Sequence, residues 1–420
     1  MPNNFMRREI GKGIFFNRIT DKRFKLNTIV INFLSPLSEE TAAENAVASR
    51  IISQCSSRYP TYSSLNSKLS SLYAARLCSS AYGFGDAQLI SFSIDYLDNK
   101  YALHNEKIDE EALNILLGCI FEPLTENGGF SEKFTALERR SLIEGIEAEL
   151  NDKQYYAGIK ADEIIFKNEP AAIKDAGSVE TAKRVTAKSA YNAYQRLLRH
   201  GRIEIFCSGC GDFEDIKKKI TEQFAKLDRG ELYPCSTLRS PIKQQPEFAS
   251  EKMEIQQSKM VMAFKTDMED VSAFTLLNEI YGGSPGSKLF ANVREKMSIC
   301  YSCWSGFSKI KGTLKAFCGT EKDNVEKAKE EMIRQLTLMQ EGDFSQEDVD
   351  SAKMCCSNSL RAYNDSAAAI AVWYFLRIYC DDIISPEEAI RRQEKITKED
   401  IVEAARSLKL DTVYVLTSKD

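Results

Sequence analysis

Two hydrophobic periods share this chain. Apolar residues recur every three or four positions in some stretches and alternate in others, which predicts interleaved helices and strands. Strand-like runs occupy 11–17 and 24–33, separated by a charged turn. A helix over 39–54 follows, with Ala43, Val47, Ile51 and Ile52 on its apolar side, and a second passes through Leu65, Leu69, Leu72 and Tyr73. Strands come next at 74–82 and 88–97, the latter alternating clearly from Leu89 to Ile94. Helices are predicted at 110–121 and, long and heavily charged, at 132–152. Thr186 is placed to cap a helix over 188–199, and a strand at 202–208 and a helix over 213–227 complete this half.

Between 228 and 249 the periodicity fails and Pro234, Pro241 and Pro246 punctuate the chain, which marks a linker. Beyond it the pattern gives a strand at 252–264, a helix at 268–281 and strands at 299–307 and 312–319. Helices follow at 322–340, 346–364, 366–380 and 386–394; Thr397 caps a last one to 408, before a closing strand at 412–417. The expected organisation is therefore α+β: residues 1–227, a linker at 228–249, and residues 250–420 repeating the plan of the first half. Ser67-Lys68-Leu69 and Ser287-Lys288-Leu289, 220 positions apart, agree with a duplication but are too few to establish it.

Composition narrows the function. The 420 residues, 43% hydrophobic and 28% charged, suit a globular chain with a large core. A net charge of −5 without a basic block gives no footing for nucleic acid. The longest apolar run, 367–376, is about half of what a membrane helix needs and is closed by Arg377, so it reads as a buried helix. The first residues lack the apolar core of a secretory signal, and the expectation is a soluble, cytoplasmic protein with no membrane partner. Twelve cysteines include two CxxC pairs, Cys207/Cys210 and Cys300/Cys303. About ninety residues separate the pairs, far more than in a zinc ribbon, and both follow strand-like runs, so they read as buried structural thiols, with metal or redox work as the alternative.

The densest signal is 281–304, YGGSPGSKLFANVREKMSICYSCW. Gly282, Gly283 and Gly286 are expected to supply positive φ, and Pro285 a bend. Leu289, Phe290, Val293 and Met297 then form one apolar helical face, and alternation from Ile299 marks a strand. Arg294 on the helix and Tyr301 on the strand stand seven apart, placed so that a guanidinium and a phenol could converge on one carbonyl oxygen. The loop at 282–288 lacks the Gly-Lys-Ser/Thr order of a phosphate loop, and Pro285 removes an N–H.

This stretch is similar to the C-terminal-half signature of the pitrilysin/insulinase/mitochondrial-processing-peptidase family of zinc peptidases. The resemblance implies two homologous halves, each an antiparallel sheet packed with helices, forming half of a clam-shell chamber. It also implies an inverted zinc motif, His-x-x-Glu-His, on the first helix of the N-terminal half, with a further glutamate on a later helix. Placed on this chain, the motif positions hold Ala46, Ser49 and Arg50, and the later glutamate position holds Gly145, with Glu144 adjacent. The two histidines, His104 and His200, lie too far apart to form such a motif. The resemblance therefore implies a chain that is no enzyme alone and carries no zinc. Some members divide the labour, so the expected partners are a zinc-carrying homologous subunit and a peptide substrate, with Arg294 and Tyr301 donated in trans. The alternatives are a structural or scaffold homologue, or a peptide-binding one, with no role in proteolysis.

Overall fold

The computed structural model describes residues 4–234 and 238–419, so positions 235–237 of the expected linker lie outside the described residues. The chain forms two compact units. The first runs to Ala148, resumes at Ile173 as far as the linker, and takes in Tyr363–Ser385; the second comprises Glu149–Ala172, the stretch from the linker to Ala362, and the chain from Pro386 onward. Each unit therefore contains a segment that a simple division at the linker assigns to the other half.

In the first unit β1 (Phe5–Gly11) and β2 (Ile14–Thr20) form a hairpin, with Gly13 at φ 66° in the turn. The run expected at 11–17 thus straddles a turn. With β3 (Leu26–Pro36), β4 (Arg76–Phe84), β5 (Ala87–Leu97) and β8 (Arg202–Gly209), they build a six-stranded sheet in the order β1-β2-β8-β3-β5-β4. A short ribbon, β6 (Thr125–Glu126) and β7 (Gly129–Phe130), stands apart from it. Ile29, Ile31, Phe33, Ile203 and Ile205 face a core completed by α1 (Ala42–Ile52), α2 (Tyr62–Ser71), α3 (Ile108–Phe121), α4 (Glu132–Ala148), α6 (Val179–Lys183), α7 (Ala187–His200) and α8 (Glu214–Phe224). Alternate residues face the other side, where Phe206 meets Phe375 of α12 (Ala367–Tyr379) and Phe5 stacks on Tyr374 at 4.2 Å between ring centroids. The apolar run at 367–376 is a buried helix, as its pattern predicts.

The second unit repeats this design. Its strands are β9 (Glu247–Met253), β10 (Ser258–Lys265), β11 (Cys300–Ser308), β12 (Thr313–Thr320) and β13 (Lys409–Ser418), in the order β11-β12-β10-β13-β9. Met260, Met262 and Phe264 face a core with α9 (Phe274–Asn278), α10 (Val325–Glu341), α11 (Gln346–Ala362) and α14 (Lys398–Ser407), while α13 (Pro386–Glu394) packs on α11. Val261 and Ala263 face α5 (Lys153–Ile165) on the other side. That helix follows a break in the helix expected at 132–152: α4 stops at Ala148, and Asp152 starts α5 by accepting from the backbone N–H groups of Gln154 and Tyr155 at 3.0 Å.

Both sheets are mixed, which corrects the expectation of antiparallel sheets. In each, the first strand after the entry segment runs parallel to the last: β2 with β8, β9 with β13. The order β2-β8-β3-β5-β4 matches β9-β13-β10-β12-β11 term by term, and this shared order carries the duplication better than any sequence identity. It also resets the alignment. β4 and β11 begin at Arg76 and Cys300, 224 apart, and at the same offset the buried Leu65 and Leu69 of α2 match the buried Leu289 and Val293. The Ser-Lys-Leu matches at 220 are one helical turn out of register.

Candidate functional site

The positions where the family motif carries zinc ligands lie on α1 and α4, which pack together in the first unit. Ala46 is buried in the core, and Ser49, also buried, returns its hydroxyl to the Ala46 carbonyl at 2.9 Å. Arg50 reaches α4, donating from Nη1 to Ser141 Oγ at 3.2 Å. Gly145 is exposed, and a Cβ there would meet nothing within 4 Å. The neighbouring Glu144 is turned to Arg140, 2.8 Å away. Glu138 is buried and accepts from Gln54 Nε2 at 2.6 Å. The motif positions offer a methyl group, a hydroxyl, a guanidinium and no side chain at Gly145, none of the imidazole, thiolate or carboxylate ligands that zinc takes, and the nearby Glu138 and Glu144 are turned to Gln54 and Arg140. His200 ends α7, its Nδ1 2.7 Å from the Glu231 carbonyl oxygen, and His104 lies in an exposed turn before α3.

Arg294 and Tyr301 belong to the second unit. The helix after α9 widens into a π-helical turn over Glu279–Gly283, and Arg294 sits on a second such segment, Leu289–Lys296, closed by Met297 N–H donating to the Asn292 carbonyl. None of Gly282, Gly283 and Gly286 has a positive φ, which corrects the turn reading. Gly282 is required for space instead: a Cβ there would stand 2.8 Å from the Ser305 backbone nitrogen on β11. The Arg294 guanidinium lies 4.6 Å above the Phe290 ring, with Nε 3.7 Å from Glu295. Tyr301 is 56% exposed and donates from Oη to Glu321 at 2.5 Å, a bond that pushes its phenol pKa up. The two donors stand on adjoining elements, and each is held by its own carboxylate.

Beside them is a cluster that sequence reasoning missed. Cys300, Cys303 and Cys318 are all buried, with their sulfurs within 4.8 Å of one another. It is the only such grouping of ligand-type side chains found among the described residues. Cys300 and Cys303 were singled out as a CxxC pair, but Cys318 joins them only through the pairing of β11 with β12, where Cys303 stands opposite Cys318. Hydrogen bonds from Cys303 and Cys318 draw the Cys300 thiol down, with help from the Arg294 charge, while Cys303 and Cys318 are pushed up. In the other pair, Cys207 is wholly buried and its thiol is pushed up by that burial, the behaviour of a structural cysteine.

Residues 184–354 match the family described as peptidase M16 inactive domain. A protein of Bacillus subtilis (strain 168), named probable inactive metalloprotease YmfF, is 26% identical over 408 residues, 96% of each chain. Among solved structures, a conserved protein from Enterococcus faecalis V583 superposes with a TM-score of 0.91 at 24% identity, over 99% of both chains. A peptidase M16 inactive domain from Pseudomonas fluorescens does so with a TM-score of 0.83 at 16% identity, again over 99% of both. No helix among the described residues is long and apolar enough to cross a membrane.

Proposed function

The chain belongs to the peptidase M16 inactive-domain family, and from that premise we propose that it is the non-catalytic subunit of a peptide-processing heterodimer. In this reading a homologous chain brings the zinc, the two together enclose a clam-shell chamber in the cytoplasm, and this chain binds peptide and lends Arg294 and Tyr301. What supports the reading is the exposure of Tyr301, a large aromatic held outward beside Arg294, in a chain whose own metal positions are Ala46, Ser49, Arg50 and Gly145.

The chemistry assigned to the pair is that of an oxyanion hole. Donors fixed in a dry site and aimed at the oxygen where charge develops stabilise a tetrahedral intermediate, each worth about 10²–10³ in rate. Arg294 gives a permanent cation and Tyr301 a neutral O–H, so neither takes a proton from the intermediate. Both must leave Glu295 and Glu321 to act, and those are surface contacts weakened by solvent screening.

The test is reconstitution with a zinc-motif homologue. Arg294→Ala with Tyr301→Phe should lower kcat/KM by at least the roughly 10²–10³-fold of a single donor while leaving assembly intact. The scaffold reading is favoured by one observation, that both donors are occupied by carboxylates in the isolated chain. Unchanged peptidase activity in the double variant would decide for it.

A further inference from the structure

We infer that Cys300, Cys303 and Cys318 form a binding site for one thiophilic d10 metal ion, copper(I) in preference to zinc, held by three sulfurs between β11 and β12. The site is distinct from the peptidase metal positions on α1 and α4, and it does not rest on the peptide-processing reading.

Strand geometry carries the case. In a regular strand, residues three apart point to opposite faces, so a CxxC pair cannot present both sulfurs to one side. Here the pairing of β11 with β12 slips between Cys300 and Ser302, leaving Tyr301 as the extra residue of a β-bulge. The bulge turns Cys300 to the face that already carries Cys303, and both are buried while Tyr301 is exposed. Cys318 completes the set from directly opposite Cys303. A bulge disrupts the ladder, and a core filled by thiols acting only as small apolar groups has no need of one.

The sulfurs also stand at the right separation. Metal–sulfur bonds of about 2.3 Å put ligand sulfurs roughly 3.7–4.0 Å apart, which small rotamer shifts reach from a cluster within 4.8 Å. Three sulfurs with no imidazole or carboxylate among them match the soft ligand set that copper(I) takes at low coordination number, whereas a structural zinc site uses four protein ligands. Three thiolates around a monovalent ion leave negative charge, offset in part by Arg294, whose charge acts on Cys300, and by Lys259, whose charge acts on Cys318 from the opposite face of the sheet. Lys259 lies on β10, next to β12, with its Nζ 3.1 Å from where a Gly319 Cβ would be.

The whole chain, purified anaerobically under reducing conditions and stripped with chelator, would be titrated with copper(I) against bicinchoninate, and separately with zinc against a chromophoric chelator. One equivalent of copper(I) should bind, with a thiolate-to-copper absorption band, and be lost in Cys318→Ser but kept in Cys210→Ser. Because Cys318 is fully buried and its replacement also perturbs the core, Cys300→Ser, at the strand end, carries the same test. Preferential binding of zinc through the same three cysteines would overturn the copper assignment. Binding of neither ion, or binding that survives loss of Cys300, would overturn the site itself.

Discussion

Replacing Gly282 by alanine tests the packing beneath Arg294 and Tyr301. A Cβ at this position would stand 2.5 Å from Ser305 Oγ, 2.8 Å from the Ser305 backbone nitrogen and 2.9 Å from Leu289 Cδ1. None of the three can yield cheaply. Ser305 Oγ donates to Asn278 Oδ1 at 2.8 Å, its backbone belongs to the β11–β12 ladder, and Leu289 is fully buried. Overpacking of this kind costs about 1–3 kcal/mol, and with a backbone atom in the clash the upper end applies. Alanine recovers about 1 kcal/mol of helix propensity, leaving a loss of about 2 kcal/mol. For a unit of this size that lowers Tm by about 4–8 °C. Gly286→Ala is the control, since a Cβ there meets nothing within 4 Å and should change stability by less than about 0.5 kcal/mol. Thermal unfolding followed by circular dichroism reads both. A Gly282→Ala protein melting at or above the parent temperature would refute the close-approach account of this glycine.

Two further substitutions address buried charge and capping. Asp411 and Lys265 are both buried and 3.4 Å apart, with Lys243 3.6 Å away on the other carboxylate oxygen; Asp411→Ala strands a buried ammonium and should cost about 3–5 kcal/mol in urea unfolding. At the start of α14, Thr397 and Asp400 form a capping box, and Thr397→Ala should cost about 1 kcal/mol. Hydrogen bonds from the Thr397 backbone and hydroxyl hold the Asp400 carboxyl below its ordinary 3.8, so its contribution is complete above that pH and fades as pH falls through the lowered value. The stability gap between the parent and Asp400→Ala, measured from pH 7 downward, should therefore close only below pH 3.8.

Much of the fold is legible because each element has one apolar face. Helix α1, the strands β5 and β8, and the buried α12 stand where periodicity puts them. The misses among the strands share a cause, which is that strand ends and pairing partners are decided by distant residues. The run expected at 252–264 is two strands, β9 and β10, because β9 is an edge whose outer face alternates while β10 is buried on both faces and shows no alternation. Helix α5 escaped notice because its buried side is mostly small, Ala157 and Ala161 with Ile165, and gives a faint period. At the candidate site, Arg294 and Tyr301 were legible by spacing. Their carboxylate partners were not: Glu295 is one of several acids near Arg294 in sequence, and Glu321 meets Tyr301 only through strand pairing.

The same bulge bears on Tyr301. Were β11 regular back from Cys303, Tyr301 would face the core and Cys300 the opposite side. Burying the ring there would be favourable, and the chain forgoes it. Tyr301 therefore does not simply fill the sheet; the backbone is distorted to hold it out, with Glu321 fixing its hydroxyl, while a smaller cysteine takes the inner place. Trp304, three residues on and 45% exposed, differs, because it stacks on Phe317 with ring centroids 4.1 Å apart and so has a packing partner. A stability argument accounts for Trp304 and fails for Tyr301. What the bulge secures is a phenol in solvent and three sulfurs together, and both are dispositions that a ligand can use and a core cannot.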